Sequence, residues 1–574
     1  MVGGLTLAVF LPALLNGFVN FDDMDNFVMN PYYRGLGWDN LRWMFTSAHT
    51  GHYIPIAWLT LGLDYVLWEM RPLGYHLTSI VFHAVNAVLF YFLALRLIEQ
   101  ASDPRSSPLE ERGDRVAVPL GASAAALLFS VHPLRVESVA WITERRDLVC
   151  GLFSLLTVLA YLRAHSLGTQ GRLKRRWYWT AVALFILALL AKSIVVGLPL
   201  VLLALDLYPL RRMSLANSEG GKQRNRLLVE KLPFFLASAA VSVATIAIGR
   251  EQGLMTSFGT LGVPERLAVS GYGLIFYLWK TLVPWPLSPL YELHYPVRPL
   301  APGYLLPGVA TVAITAVTIL ARRRWPAGLT TWLIYVTLLL PVIGIIHNGI
   351  QIAADRYTYL ACLGWALLAG AGVTRCWRAA RTGAITPRLW RLVVAVSATV
   401  IVALGGLSTL EIRAWRDSET LWRHALALDP RNARAHHNLA SALWAVGSTQ
   451  EAHAEIELAL SLLPDQFPKA KAAFHARLGL WLQSEGDIEG AERHYREALS
   501  FSRDNFLARY NLGVIYASRG DRLAALESFL HVLRVIPGYQ GACANGRRLA
   551  GILGVKPKEL ESCSPRTERH RSAG

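Results

Sequence analysis

The chain has 574 residues, 53% of them hydrophobic and only 17% charged, against roughly a quarter charged in a soluble protein, which excludes an ordinary soluble enzyme. A net charge of +17 does not point to nucleic acid, because membrane proteins retain Lys and Arg in their cytoplasmic loops. The five cysteines (Cys150, Cys362, Cys376, Cys543, Cys563) show no CxxC or metal-type spacing, and their odd number argues against a disulfide framework, while a Cys543–Cys563 pair outside the membrane stays open.

Up to residue 410, apolar runs recur between short polar breaks, with the length that crosses a hydrocarbon core at 1.5 Å of helix rise per residue. They predict eleven spans, at 4–20, 75–98, 116–131, 147–164, 177–191, 193–209, 232–249, 304–321, 329–346, 358–375 and 392–410. The first lacks a basic leader and a small-residue cleavage site, and reads as an uncleaved span. Basic stretches at Arg96–Arg115, Arg163–Arg176, Arg211–Arg226, Arg322–Arg324 and Arg375–Arg391 fall on alternate connections. The positive-inside rule then places all five in the cytoplasm with the N-terminus, and residues 411–574 outside. Leu267–Val283 would break this alternation if it spanned. Followed by Pro284, Trp285 and Pro286, it is expected to re-enter or lie along the interface, held by Trp279 and Trp285. The outer loops are 21–72, 132–146, 250–303 and 347–357, and a functional site is expected where they converge.

After 411 the pattern changes to amphipathic helix pairs. Three units repeat small and aromatic residues: Asn438, Leu439, Ala440, Gly447, Ala459 and Pro464; then Leu478, Gly479, Gly486 and Ala498; then Asn511, Leu512, Gly513, Tyr516, Gly520 and Pro537. Gly486 to Gly520 and Pro430 to Pro464 are each 34 residues, and Gly447 to Gly486 is 39, which requires a five-residue insertion around Phe467–Lys471. A 34-residue helix–turn–helix period is the tetratricopeptide signature, and stacked repeats make a groove for an extended peptide or a partner helix. The expected plan is all-α: a polytopic membrane helical bundle over 1–410, a tetratricopeptide-repeat solenoid over 411–555, and a basic, disordered tail over 556–574. Short loops point to a bacterial inner membrane.

The polar residues at the outer face carry the chemistry. Asp22, Asp23 and Asp25 follow the first span, where three carboxylates are costly unless they have work or counter-ions. His132, Pro133, Arg135 and Glu137 open the second outer loop; Glu144, Arg145, Arg146 and Asp147 close it. Asp355, Arg356 and Tyr357 stand at the outer end of the tenth span, and His49, His52 and Tyr53 lie in the first outer loop. Arginines outside run against the charge bias, so Arg146 and Arg356 need anionic partners, either the nearby carboxylates or a lipid phosphate. A carboxylate base with phosphate-holding arginines fits group transfer from a lipid-linked donor. No nucleotide loop, HExxH or GxSxG motif competes.

These segments, in this order and followed by repeats, resemble the transmembrane and tetratricopeptide-repeat O-mannosyltransferases and their bacterial relatives, of the glycosyltransferase-C superfamily. Phe18 to Asp23 with Asn30 and Pro31 resembles their acidic motif after the first span; Tyr53 to Ile56 resembles Tyr-Arg-Pro-Leu, with Ile54 in place of the arginine. His132 to Val139 with Arg146 and Asp147, and Asp355 to Leu360, resemble two further family segments. The resemblance implies an inverting transferase using a polyprenyl-phosphate sugar. It implies Asp23 as the base with Asp22 beside it, Glu137 as a second acid, and Arg146 and Arg356 on the donor phosphate. His52, Tyr53 and His132 would contact acceptor or donor. No cofactor is required; a divalent metal on Asp22 and Asp25 stays open. The implied partners are a membrane lipid donor and an exported protein or peptide acceptor presented by the repeats, whose number, about three, is smaller than in eukaryotic members. Two other readings are a transferase acting on a lipid or surface glycan, and a non-catalytic membrane-anchored repeat scaffold for envelope assembly.

Overall fold

A computed structural model describes residues 1–101, 108–166, 169–212, 220–346 and 349–563, with 108–114 and 220–223 as backbone only. The chain divides into two compact units, Met1–Met44 with Ala48–Leu421, and Phe45–Ser47 with Trp422–Gly574.

The first unit is a helical membrane protein. Where no water can bond the backbone, a helix satisfies every peptide group within itself, and among the described residues five helices are long and apolar enough to cross: Pro72–Ala101, Ile142–Ala164, Arg224–Glu251, Pro302–Arg323 and Pro387–Ala414. Two bent pairs, Arg115–Ser130 with Pro133–Ala140 and Asp355–Ala361 with Leu363–Arg381, raise the number to seven if each is one span. Among the described residues, five to seven of the eleven predicted spans are thus matched by helices of crossing length and composition. The missing ones coincide with helices, but Val2–Leu15, Ser193–Leu207 and Pro326–Leu339 are short, and Gly171–Ala191 opens on Arg172, Lys174, Arg175 and Arg176. Leu267–Val283 lies almost entirely within one unbroken helix, Val263–Leu282, which carries Glu265, Arg266 and Lys280.

Burial sorts these helices. Only 6% of the apolar window in Pro302–Arg323 and 11% in Pro387–Ala414 is buried, so both present their apolar faces to lipid; in Ile142–Ala164 the figure is 72%, which puts that helix at the centre. Small residues allow close crossing. A Cβ added at Gly121 would stand 2.4 Å from the Gly370 carbonyl oxygen, and the Thr374 hydroxyl donates to the Ala117 carbonyl at 3.2 Å. Away from the functional site, buried Asp206 joins Lys231 and Arg212 at 2.8 and 2.7 Å and accepts from the Tyr161 hydroxyl, locking three helices together.

In the second unit consecutive helices pair: Ala433–Ala445 with Thr449–Leu462, Pro468–Glu485 with Ile488–Phe501, and Phe506–Ser518 with Arg522–Val535. The turns within the pairs carry Gly447, Gly486 and Gly520, all in the left-handed region at φ 85°, 92° and 84°, where other residues are strained. Helix starts are capped by Asn432, Asp487, Asn505 and Asp521, each accepting from the backbone N–H three residues on. The five-residue insertion lengthens one helix: Pro468–Glu485 has 18 residues where Ala433–Ala445 and Phe506–Ser518 have 13. A disulfide joins Cys543 in Gln540–Leu553 to Cys563. The tail expected to be disordered from 556 thus contains a 3-10 helix, Lys558–Cys563, tied down by that bond; its remainder, 564–574, lies outside the described residues.

Candidate active site

The acidic loop is folded by its second aspartate. Asp23 is 1% exposed; its carboxylate accepts from Val19 N at 3.1 Å, Thr143 N at 3.1 Å and the Thr143 hydroxyl at 2.6 Å. Burial pushes its pKa up to about 7 although these hydrogen bonds pull it down. Asp23 therefore pins the loop to itself and to residue 143. Phe21 stacks on Trp141 with ring centroids 4.6 Å apart, and between Phe21 and Asp23 the half-buried Asp22 is left facing Arg146, Arg356 and Glu144, which act on its carboxyl electrostatically. Burial raises its pKa above the usual 3.8, outweighing the two guanidinium groups that lower it.

The cations arrive through two elbows. Pro133 cannot continue a helix, and the chain turns by 61° between Arg115–Ser130 and Pro133–Ala140. His132 caps this turn: Nδ1 accepts from Leu134 N at 3.2 Å, and Nε2 faces the Thr281 carbonyl at 3.0 Å. The second elbow bends 53° between Asp355–Ala361 and Leu363–Arg381. Arg135, reaching the Thr358 hydroxyl at 2.8 Å, ties one elbow to the other. The antiparallel pairing of Tyr291 with Ala353 brings the third and fourth outer loops together beside them.

Between the elbows lies a buried ion network. Arg356 donates through Nη1 to Glu137, and reaches Glu144 through Nε at 3.2 Å and Gln351 through Nη2 at 3.3 Å. Its backbone N–H also donates to Glu137, at 2.7 Å. Glu144 accepts from Arg146 at 2.6 and 3.2 Å and from Lys192 at 2.6 Å; Lys192 also holds Asp147 at 2.7 Å. Nη1 of Arg146 makes no hydrogen bond among the described residues. His52 sits in the same field: burial first, then Arg146, Lys192 and Arg356, lower its pKa to about 3, so it is neutral. Arg145 turns away to Asp64 at 2.8 Å, both side chains buried.

Of the residues singled out in the sequence, Asp22, His52, Glu137, Arg146 and Arg356 share this region. Asp23 is turned into its own loop, His132 is engaged by backbone on both ring nitrogens, and Tyr53 is 37% exposed. Asp25 is exposed and its carbonyl meets His49 at 3.1 Å; among the described residues Asp22 and Asp25 are not part of a three-donor metal cluster. Glu144 and Asp147, named in the sequence among the charges that close the second outer loop but given no role there, belong to the network, and Lys192, which was not singled out, joins them. Lys192 carries a signal of its own, a lone cation between two apolar runs.

A small pocket at the network is lined by Asp147, Cys150, Val195, Arg356 and Tyr357. A second, larger one lies among apolar side chains, including Phe90, Leu155, Val201 and Leu367. Leu338 and Leu360 line both.

The molecule is thus an integral membrane protein of the all-α class, with a charged site built where two broken helices meet the loop after the first helix. No family model matches the chain. It is similar over most of its length to proteins named protein O-mannosyl-transferase: Tmtc3 of Drosophila melanogaster (23% identical, 83% of this chain and 59% of that one), TMTC1 of Homo sapiens (25%, 81% and 55%) and TMTC4 of Homo sapiens (25%, 76% and 63%). The chain spans less than two thirds of the length of these relatives. All three are animal proteins, and the bacterial inner-membrane location expected from short loops finds no support among them. A crystal structure of MamA matches 27% of the chain at 18% identity with a TM-score of 0.23, too low to say anything of the fold.

Proposed function

We propose that this protein is a membrane glycosyltransferase that moves a sugar from a polyprenyl-phosphate donor to a Ser or Thr hydroxyl of a protein acceptor. The observation that carries the reading is the half-buried carboxyl of Asp22, within the electrostatic reach of Arg146 and Arg356. The names of the relatives agree with it, and so does the apolar pocket that shares Leu338 and Leu360 with the small pocket at the ion network, whose walls suit a polyprenyl chain.

In this reading Asp22, rather than the Asp23 expected from the resemblance, is the base. The acceptor oxygen attacks the anomeric carbon while its proton passes to Asp22. The bond from that carbon to the phosphate oxygen breaks on the opposite face, and its electron pair leaves with the phosphate. Arg146, through its spare Nη1, and Arg356 hold the charge that develops there. A carboxylate with a raised pKa is a stronger base than an ordinary one. Glu144 and Glu137 act as positioning residues that fix the two guanidinium planes. The Cys543–Cys563 disulfide suits an oxidising compartment and so supports the helix pairs as an extracytoplasmic tetratricopeptide-type array that presents the acceptor.

Purified protein incubated with a polyprenyl-phosphate mannose and a Ser/Thr-rich peptide should raise the peptide mass by one hexose. No increase with any polyprenyl-linked sugar would leave a scaffold, for which one observation speaks: Arg146 and Arg356 already have carboxylate partners. A second expectation concerns the cavity. Ala371→Trp, which fills part of it, should raise the KM for a full-length polyprenyl donor at least tenfold while leaving kcat within about twofold, because the tail contributes equally in ground and transition states. A short-chain donor should not distinguish the two proteins.

A further inference from the structure

Within the helix pairs of the second unit, three metal-type donors converge. His475 lies on Pro468–Glu485; His494 and Glu497 lie one turn apart on Ile488–Phe501, on one face of that helix. His475 Nδ1 is 3.1 Å from His494 Nδ1 and 3.0 Å from Glu497 Oε2, and His494 Nδ1 is 3.5 Å from the same oxygen. Among the described residues this is the one place where three His, Cys, Asp or Glu donors meet in this way.

Hydrogen bonding alone accounts poorly for the triangle. Two imidazole nitrogens at 3.1 Å need one of them protonated and the other not, and the carboxylate oxygen then competes for the same proton. A cation at the centre satisfies all three lone pairs at once. With ligand bonds of about 2.0–2.1 Å at tetrahedral angles, donors stand roughly 3.3 Å apart, and the three observed separations bracket that value. The ring of Phe501 stacks on His475, with planes 9° apart, and so fixes its orientation. Side-chain exposures of 14%, 19% and 45% leave an approach from solvent and room for a water as fourth ligand.

We propose that His475, His494 and Glu497 bind one divalent transition-metal ion of the zinc class, which clamps the two helices of this pair. The clamp is structural: it joins neighbouring helices and supplies nothing to the transfer reaction, and it stands whether or not the chain is a transferase. Burial holds both histidines below the ordinary imidazole range, so they are in the neutral, ligating form at neutral pH.

The test uses full-length protein in detergent, purified without a polyhistidine tag, stripped with chelator and titrated calorimetrically with zinc chloride. Wild type should take up one zinc per chain. His475→Gln and His494→Gln should each weaken binding at least tenfold, as should Glu497→Gln, which keeps the shape of the side chain; His453→Gln, removing a histidine paired with Glu485 elsewhere in the array, should bind as wild type does. Zinc-edge X-ray absorption on the loaded wild type, which needs no variant, should report two imidazole nitrogens with oxygen donors at about 2.0–2.1 Å. Failure of the stripped wild type to bind stoichiometrically, unchanged titrations in Glu497→Gln and His475→Gln, or a shell with fewer than two imidazoles would overturn the proposal.

Discussion

Asp22→Asn should abolish sugar transfer, lowering kcat/KM by about 10² to 10⁴, the range a positioned base contributes, while the protein unfolds at the wild-type temperature. Among the described residues the Asp22 side chain takes no part in the hydrogen bonds that hold the loop; its surroundings are charges, Arg146 and Arg356 against Glu144 and Asp25. Asn conserves the shape and removes the lone pair that receives the proton. Asp23→Asn should do the reverse. Its carboxylate accepts three hydrogen bonds on two oxygens, and an amide can accept on only one side, so the variant should lose about 1–3 kcal/mol of stability and keep the activity of its folded fraction. Transfer assays on both variants, read beside thermal unfolding in detergent, separate the roles; an inactive but fully stable Asp23→Asn protein would return the base to Asp23. The pH profile follows from the same environment. Because burial raises the pKa of Asp22, and the base works deprotonated, kcat/KM should climb through an acid limb displaced above pH 3.8 and should lose that limb in Asp22→Asn.

Glu144→Gln should cost about 3–5 kcal/mol of stability, the typical price of breaking a buried ion pair from one side. Glu144 is 0% exposed and is the common partner of Arg146, Lys192 and Arg356. Gln fills the same space but leaves three cations facing one another with Glu137 and Asp147 as the remaining buried acids. Thermal unfolding of the variant should fall well below wild type, and what activity survives should show a raised KM for donor, since the guanidinium planes are no longer held. An unchanged unfolding temperature would mean that the network does not organise the site. Replacing Lys192 by Met in the same background should recover part of the stability, because it removes one of the unpaired charges.

How much of this was legible beforehand depends on the physics involved. Acids directly after an apolar span, and arginines on the side that charge bias disfavours, are local signals, and Asp22, Arg146 and Arg356 stand out in the sequence that way. Which of two adjacent aspartates faces the cations is not local. It is decided by Thr143, 120 residues away, whose N–H and hydroxyl capture Asp23. His132 looked like a site residue because it stands among charges, yet the turn forced by Pro133 needs a cap, and its ring supplies one. The apolar runs were legible as helices but not in their lengths: a run broken at Lys192, whose backbone is extended, yields a 3-10 turn, Ser193–Gly197, and a ten-residue helix. In the C-terminal part, glycine spacing located the turns and even the length of the insertion, because a left-handed turn residue is a local requirement. The pairing of His475 with His494 and Glu497 was hidden, since their contact depends on how two helices face each other.

The most direct measurement is a cryo-electron microscopy map of the purified protein with a non-transferable polyprenyl-phosphate analogue. The phosphate should lie about 3 Å from Nη1 of Arg146, within reach of Arg356 and on the far side of the sugar position from Asp22, with the chain running into the cavity lined by Leu155 and Val201. A phosphate bound anywhere else, with Arg146 and Arg356 still closed on Glu144 and Glu137, would contradict the account.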